Sequence, residues 1–222
     1  MTGAGPDRTA AGPGRRAIRD AFAVVAVVGI VGMAIAMAMA TSFWWWDVSA
    51  SALGTDIAGG RAFNVTMVLL GIAFVPVAVV MNQLLRDAAA SGLAERRWAT
   101  AARVGMWVIP FAFSLVGFFS IDEGQRAANI HTVAGFLVPL IVMAMMVTVG
   151  PGTVRAYPRF SRRTVVILAV IVGMFVLSVT GLMSYALMEM VAFAICWAWL
   201  LSLARHLDRS LAGPAASAPA GG

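Results

Sequence analysis

The sequence predicts an all-α integral membrane protein, a bundle of six transmembrane helices with both termini in the cytoplasm. Three observations predict it. The 222 residues are 61% hydrophobic and only 12% charged, with a mean hydropathy of +0.88, whereas a soluble domain carries about 25% charged residues. Six apolar runs approach the roughly 20 residues needed to cross a hydrocarbon core. Fourteen of the sixteen basic residues, all arginine, fall on one side of a six-span reading. Cytoplasmic segments retain such an excess of positive charge, so the arginines orient the chain.

The first span is expected from Ala21 to Trp46, after a disordered basic tail over residues 1–20. Arg8, Arg15, Arg16 and Arg19 mark its cytoplasmic end. A competing reading treats this segment as a secretory signal cleaved at Ala38-Met39-Ala40. The run exceeds the 7–15 apolar residues usual for such a signal, and Trp44, Trp45 and Trp46 follow as an interfacial anchor. An uncleaved span is therefore expected. Gly32, Ala36 and Ala40 recur every four residues, a spacing that lets helix backbones approach closely.

The other spans run from Phe63 to Leu85, Ala102 to Phe119, His131 to Val149, Thr164 to Met183, and Tyr185 to Ala204. Arg86, Arg96, Arg97 and Arg103 surround the second connection. Arg155, Arg159, Arg162 and Arg163 mark the fourth, and Arg205 and Arg209 follow the last span. Only Arg61 and Arg126 lie on the opposite side. The membrane domain thus covers residues 21–204, and 205–222 form a basic and then disordered tail. Between the last two spans only Met183-Ser184-Tyr185 remains, a tight helical hairpin. Pro76, Pro110 and Pro139 sit within spans and are expected to kink them, with neighbouring helices re-satisfying the freed backbone groups.

The single cysteine, Cys196, excludes an intramolecular disulfide. The arginines flank apolar runs instead of forming one patch, which argues against nucleic acid as the partner. No Walker loop, dinucleotide fingerprint, HExxH motif or nucleophile elbow is present.

The orientation gathers a polar cluster at the outer face. Asp47, Ser49, Ser51 and Asp56 belong to the first outer connection, and Asn64 to the mouth of the second span. Ser120, Asp122, Glu123 and Asn129 belong to the next outer connection, and His131 opens the fourth span. Glu189 lies about one and a half turns into the sixth. A carboxylate inside a span usually faces the bundle interior or a wet cavity, so Glu189 is the residue topology explains least. Its depth places it near the level of His131, so that the two could meet across the bundle. For each residue a plain alternative stands: a solvated loop charge for Asp47 and Asp56, a turn cap for Asp122, a helix terminus for His131.

Ser49 to Gly54, Phe63-Asn64, Gly117-Phe118-Phe119-Ser120-Ile121-Asp122, Asn129-Ile130-His131-Thr132, and Gly181 leading to Glu189 occur in that order. Together they resemble the bacterial six-helix membrane proteins called domain of unknown function 998. The resemblance spans nearly the whole chain between the tails. Relatives place a Phe-Pro-x-Asp type loop before the histidine, where this chain has Phe119-Ser120-Ile121-Asp122. An arginine often follows the acidic or amide residue of the last helix in relatives; here Met190 stands in that place. The resemblance implies fold and membrane location and supplies no activity. The family is also distantly similar to six-helix proteins of lipid-anchor remodelling and lipid homeostasis, a fold-level analogy only.

Three functions compete. An enzyme acting on a lipid or isoprenoid at the outer leaflet would use His131 as general acid or base, oriented by Asp122 or Glu123, with Glu189 as a buried acid. No cofactor is identified, although Asp47, Asp56, Asp122 and Glu123 could supply oxygen ligands to Mg²⁺ or Ca²⁺. Zinc is disfavoured by the lack of a second histidine or a cysteine nearby. A non-catalytic accessory or lipid-binding protein would use the same cluster as an interhelical lock. A proton-coupled permease ranks last, because a relay needs several titratable groups within the membrane. Membrane lipids are the expected partners, with a lipophilic small molecule as the substrate of the enzyme reading. Oligomeric state is not encoded legibly.

Overall fold

The computed structural model describes residues 14–40, 50–54, 59–152 and 158–212. Six helices occupy them: α1 (Arg15–Met39), α2 (Gly60–Ala90), α3 (Arg96–Phe118), α4 (Gln125–Gly152), α5 (Pro158–Val179) and α6 (Tyr185–Ala212). Each is long and apolar enough to cross a membrane, and no strand occurs among the described residues. Short 3-10 turns at Ala50–Gly54 and Ile121–Glu123 complete the elements among the described residues.

The helices extend beyond the apolar runs that predict them. Residues 15–20, expected in the N-terminal tail, form the first turns of α1, and 205–212 continue α6. The reason is physical: once a helix is nucleated, each added residue gains one backbone hydrogen bond for one pair of fixed dihedrals. Arginine stems can lie along an apolar surface while their heads reach water, so charge does not stop the helix. At its other end α1 finishes at Met39, short of the tryptophans at 44–46, which lie outside the described residues.

Packing follows chain order from α1 to α4, with α2 the most enclosed helix and α1 and α5 the least. The predicted close approach of α1 holds, with α2 as the partner. A Cβ on Gly32 would overlap Thr66, and one on Gly59, just before α2, would lie 2.5 Å from Ala36 O. Ala36 is fully buried. Glycine also sets the α2–α3 contact. A Cβ on Gly71 would stand 2.6 Å from Pro110 O, and one on Gly117 would overlap Asn64 O. Backbone cannot move aside as a flexible side chain can. Gly117→Ala is therefore expected to destabilise the bundle by about 1–3 kcal/mol, read as a lower thermal midpoint in detergent; an unchanged midpoint would mean the two helices are not in contact there.

The α5–α6 hairpin is closed by its glycine. Gly181 takes φ +74°, its N–H bonds Ser178 O at 3.0 Å, and Leu182 N–H bonds Leu177 O at 2.9 Å. This pair of bonds is the Schellman arrangement, which requires a left-handed residue just past the helix end. The result is a turn of a few residues that places the start of α6 beside the end of α5.

Candidate functional site

Those of the polar residues singled out in the sequence that are described collect at one end of the bundle, around the 3-10 turn Ala50–Gly54. At the front of that turn the Ala50 N–H donates to Glu189 Oε2 at 2.6 Å. Glu189 is half-buried on α6, and the first residue of a 3-10 turn has a free N–H to offer. A charge-assisted bond of this kind is stronger than one between neutral groups. Tyr185 stands one turn before Glu189 on the same helix face.

At the other end of the turn, Gly54 O accepts two bonds. Ser120 Oγ donates to it at 2.6 Å and Asn64 Nδ2 at 3.3 Å. The lack of a side chain at Gly54 permits this crowding, since a Cβ would meet Asn64 Oδ1 at 2.8 Å and the Phe63 ring at 2.9 Å. Ser120 is buried and also contacts Asp122 Oδ1. Its single hydroxyl proton faces two acceptors, so Gly54 O and the Asp122 carboxylate share it.

His131 projects inward from the second turn of α4 and is 2% exposed. Its Nδ1 lies 2.8 Å from Phe119 O. A carbonyl can only accept, so Nδ1 carries the proton and, in the neutral ring, Nε2 carries the lone pair. Nε2 is buried with no hydrogen-bond partner among the described residues. The Phe63 ring stacks on the imidazole with centroids 6.5 Å apart.

The arrangement differs from the expected constellation in two respects. His131 is oriented by the Phe119 carbonyl and not by Asp122 or Glu123; Asp122 engages Ser120, and Glu123 is exposed. No hydrogen bond joins His131 to Glu189: one ring nitrogen serves Phe119 and the other has no partner among the described residues. Both residues are instead tied to chain turns. Asp47, Ser49 and Asp56 lie outside the described residues, as does the Ser51 side chain. Among the described residues no three His, Cys, Asp or Glu side chains converge in a metal-holding group.

The opposite end carries contacts that hydropathy did not signal. Arg103 Nε donates to Asn82 Oδ1 at 2.5 Å, joining α3 to α2. The Trp199 indole N–H donates to Thr164 Oγ1 at 3.0 Å, and the Phe160 and His206 rings stack with centroids 4.8 Å apart, joining α5 to α6. Thr and Trp within apolar runs read as packing residues, so their pairing had no sequence signature. A cleft of about 300 Å³ opens here between the start of α1 and the end of α6. A narrow cavity bordered by Phe74, Val138, Phe193 and Cys196 lies within the bundle. Neither is lined by His131, Asp122, Glu123 or Glu189.

Residues 15–206 match the model of the family described as "Protein of unknown function (DUF998)". The chain belongs to this family. The match takes in α1 to α5, α6 as far as His206, and every described residue of the polar cluster. No curated protein and no solved structure matches the chain. Family membership therefore fixes kinship, and the chemistry rests on the side chains themselves.

Proposed function

We propose that this DUF998 protein is a non-catalytic, lipid-binding or accessory membrane protein whose polar cluster is a clasp. The observation that carries this reading is the destination of the polar groups. Glu189 binds the Ala50 amide, Ser120 and Asn64 bind the Gly54 carbonyl, and His131 binds the Phe119 carbonyl. The first three bonds hold the 50–54 turn against α6, the α3–α4 junction and α2, and the fourth ties α4 to the residue that ends α3. Interhelical polar contacts within membranes contribute about 0.6 kcal/mol on average, so several acting together fix the geometry of one end. The arginine distribution supports a plasma-membrane location with the α1 start and α6 end in the cytoplasm and the clasp outside.

The test is a pair of measurements on the purified protein. Glu189→Gln keeps an acceptor oxygen but loses the charge, and its thermal midpoint is expected to fall only slightly; Glu189→Ala is expected to fall further. Wild-type protein incubated with membrane lipid extract is expected to yield no new lipid species. A product formed by wild type and not by His131→Ala would replace the clasp with an enzyme.

One observation favours that second reading, namely the buried Nε2 of His131 without a partner. An unsatisfied buried polar atom costs about 1–3 kcal/mol, and a fixed tautomer with a bare lone pair is the form a general base needs. In that reading His131 takes a proton from a hydroxyl or water at a lipid or isoprenoid, and any Mg²⁺ or Ca²⁺ would be held by Asp122 and Glu123.

A further inference from the structure

We propose that the cleft between the α1 start and the α6 end is a binding site for the phosphate headgroup of an anionic membrane lipid. The inference rests on the lipid-binding reading above and names the lipid class and the place. From α1 the cleft is lined by Arg15, Arg16 and Arg19, and from α6 by Arg205 and Arg209, with Asp208 the one acid among its lining residues. Arg19 is already engaged, donating to Asp20 Oδ1 at 3.0 Å. No described carboxylate lies within ion-pair distance of Arg15, Arg16, Arg205 or Arg209. Four guanidinium groups without an ion-pair partner among the described residues therefore line one volume of about 300 Å³, with Asp208 the one described acid beside them.

Guanidinium forks match phosphate oxygens geometrically, and basic pockets between spanning helices are sites for anionic headgroups. The α1 amides add to this field. Gly14 precedes the helix with no side-chain cap, so the first N–H groups of α1 are unmet by any capping side chain and its dipole is positive toward the cleft.

A lipid, and not a free phosphate, is indicated by what adjoins the cleft. Its floor is Ile18, 1% exposed. Arg16 stands at the rim of the cleft, on the face of α1 turned away from Ile18, and below it on that outer face come Ala23, Val27 and Ile30, at helical spacing. Val27 is 59% and Ile30 72% exposed. An acyl chain attached to a headgroup in the cleft has this apolar track to follow.

The full chain in detergent would be titrated with phosphatidylglycerol, with phosphatidylcholine and with inorganic phosphate, bound lipid being counted by native mass spectrometry. Phosphatidylglycerol is expected to bind at least about tenfold more tightly than phosphatidylcholine. Arg16→Gln/Arg209→Gln should erase that preference, and Arg162→Gln/Arg163→Gln, which removes the same charge from exposed positions on α5, should keep it. Equal loss in both pairs would overturn the proposal, because the effect would then be net charge and not a site. Inorganic phosphate displacing the lipid at equal concentration would overturn the lipid assignment. Lipid bound without headgroup preference would sink the cleft but leave the lipid-binding reading, whereas no bound lipid of either kind would end both.

Discussion

Trp199→Ala is expected to produce the largest loss of stability of any single substitution described, about 3–5 kcal/mol. Trp199 is 1% exposed and is the largest fully buried side chain among the described residues. Its removal empties a space between α5 and α6 and takes away the indole donor to Thr164. Phe160, which packs against both Trp199 and His206, would lose one of its two ring neighbours. Because α5 is among the least enclosed helices, it has few other contacts to hold it. Chemical denaturation or thermal unfolding in micelles reads the effect, and Trp199→Phe should recover part of it by refilling the volume without the N–H. A variant as stable as wild type would mean that α5 is not anchored through this pair.

His131 gives the second large effect, and two substitutions separate its roles. His131→Ala deletes both the donor to Phe119 O and a buried ring, and should destabilise by about 2 kcal/mol. His131→Asn keeps an N–H donor close to the Nδ1 position while removing Nε2. The clasp reading expects His131→Asn to retain most of the lost stability, since only the Phe119 bond matters. The base reading expects His131→Asn to be folded and chemically dead. Stability as low as that of His131→Ala would show that Nε2 has a structural partner beyond the described residues.

The spans were legible because crossing a membrane demands long apolar runs, and their order and number are as hydropathy indicates. Their ends were not legible. Arg15–Asp20 and Arg205–Ala212 are polar enough to read as tails, yet they gain helical hydrogen bonds and line a shared cleft. Span parity was enough to bring Asn64, Ser120, Asp122, His131 and Glu189 to one end of the bundle, and Gly32, Ala36 and Ala40 announced the close contact of α1. The partners within the cluster were hidden for a specific reason. Glu189, Ser120, Asn64 and His131 all bind backbone atoms, which every residue possesses and no sequence pattern marks. Reading Glu189 and His131 as mates followed from their depth, and depth says nothing about azimuth around the bundle. The missed pairs, Trp199–Thr164 and Arg103–Asn82, share that difficulty.

The clasp is tested most directly by hydrogen–deuterium exchange of the Ala50–Gly54 turn in lipid nanodiscs. The Ala50 amide donates to Glu189, so Glu189→Ala should remove its protection, and Ser120→Ala should loosen the same turn from its other end, both without raising exchange in the α2–α3 interior. Unchanged protection of the turn in both variants would contradict the account, for the polar cluster would then be holding nothing.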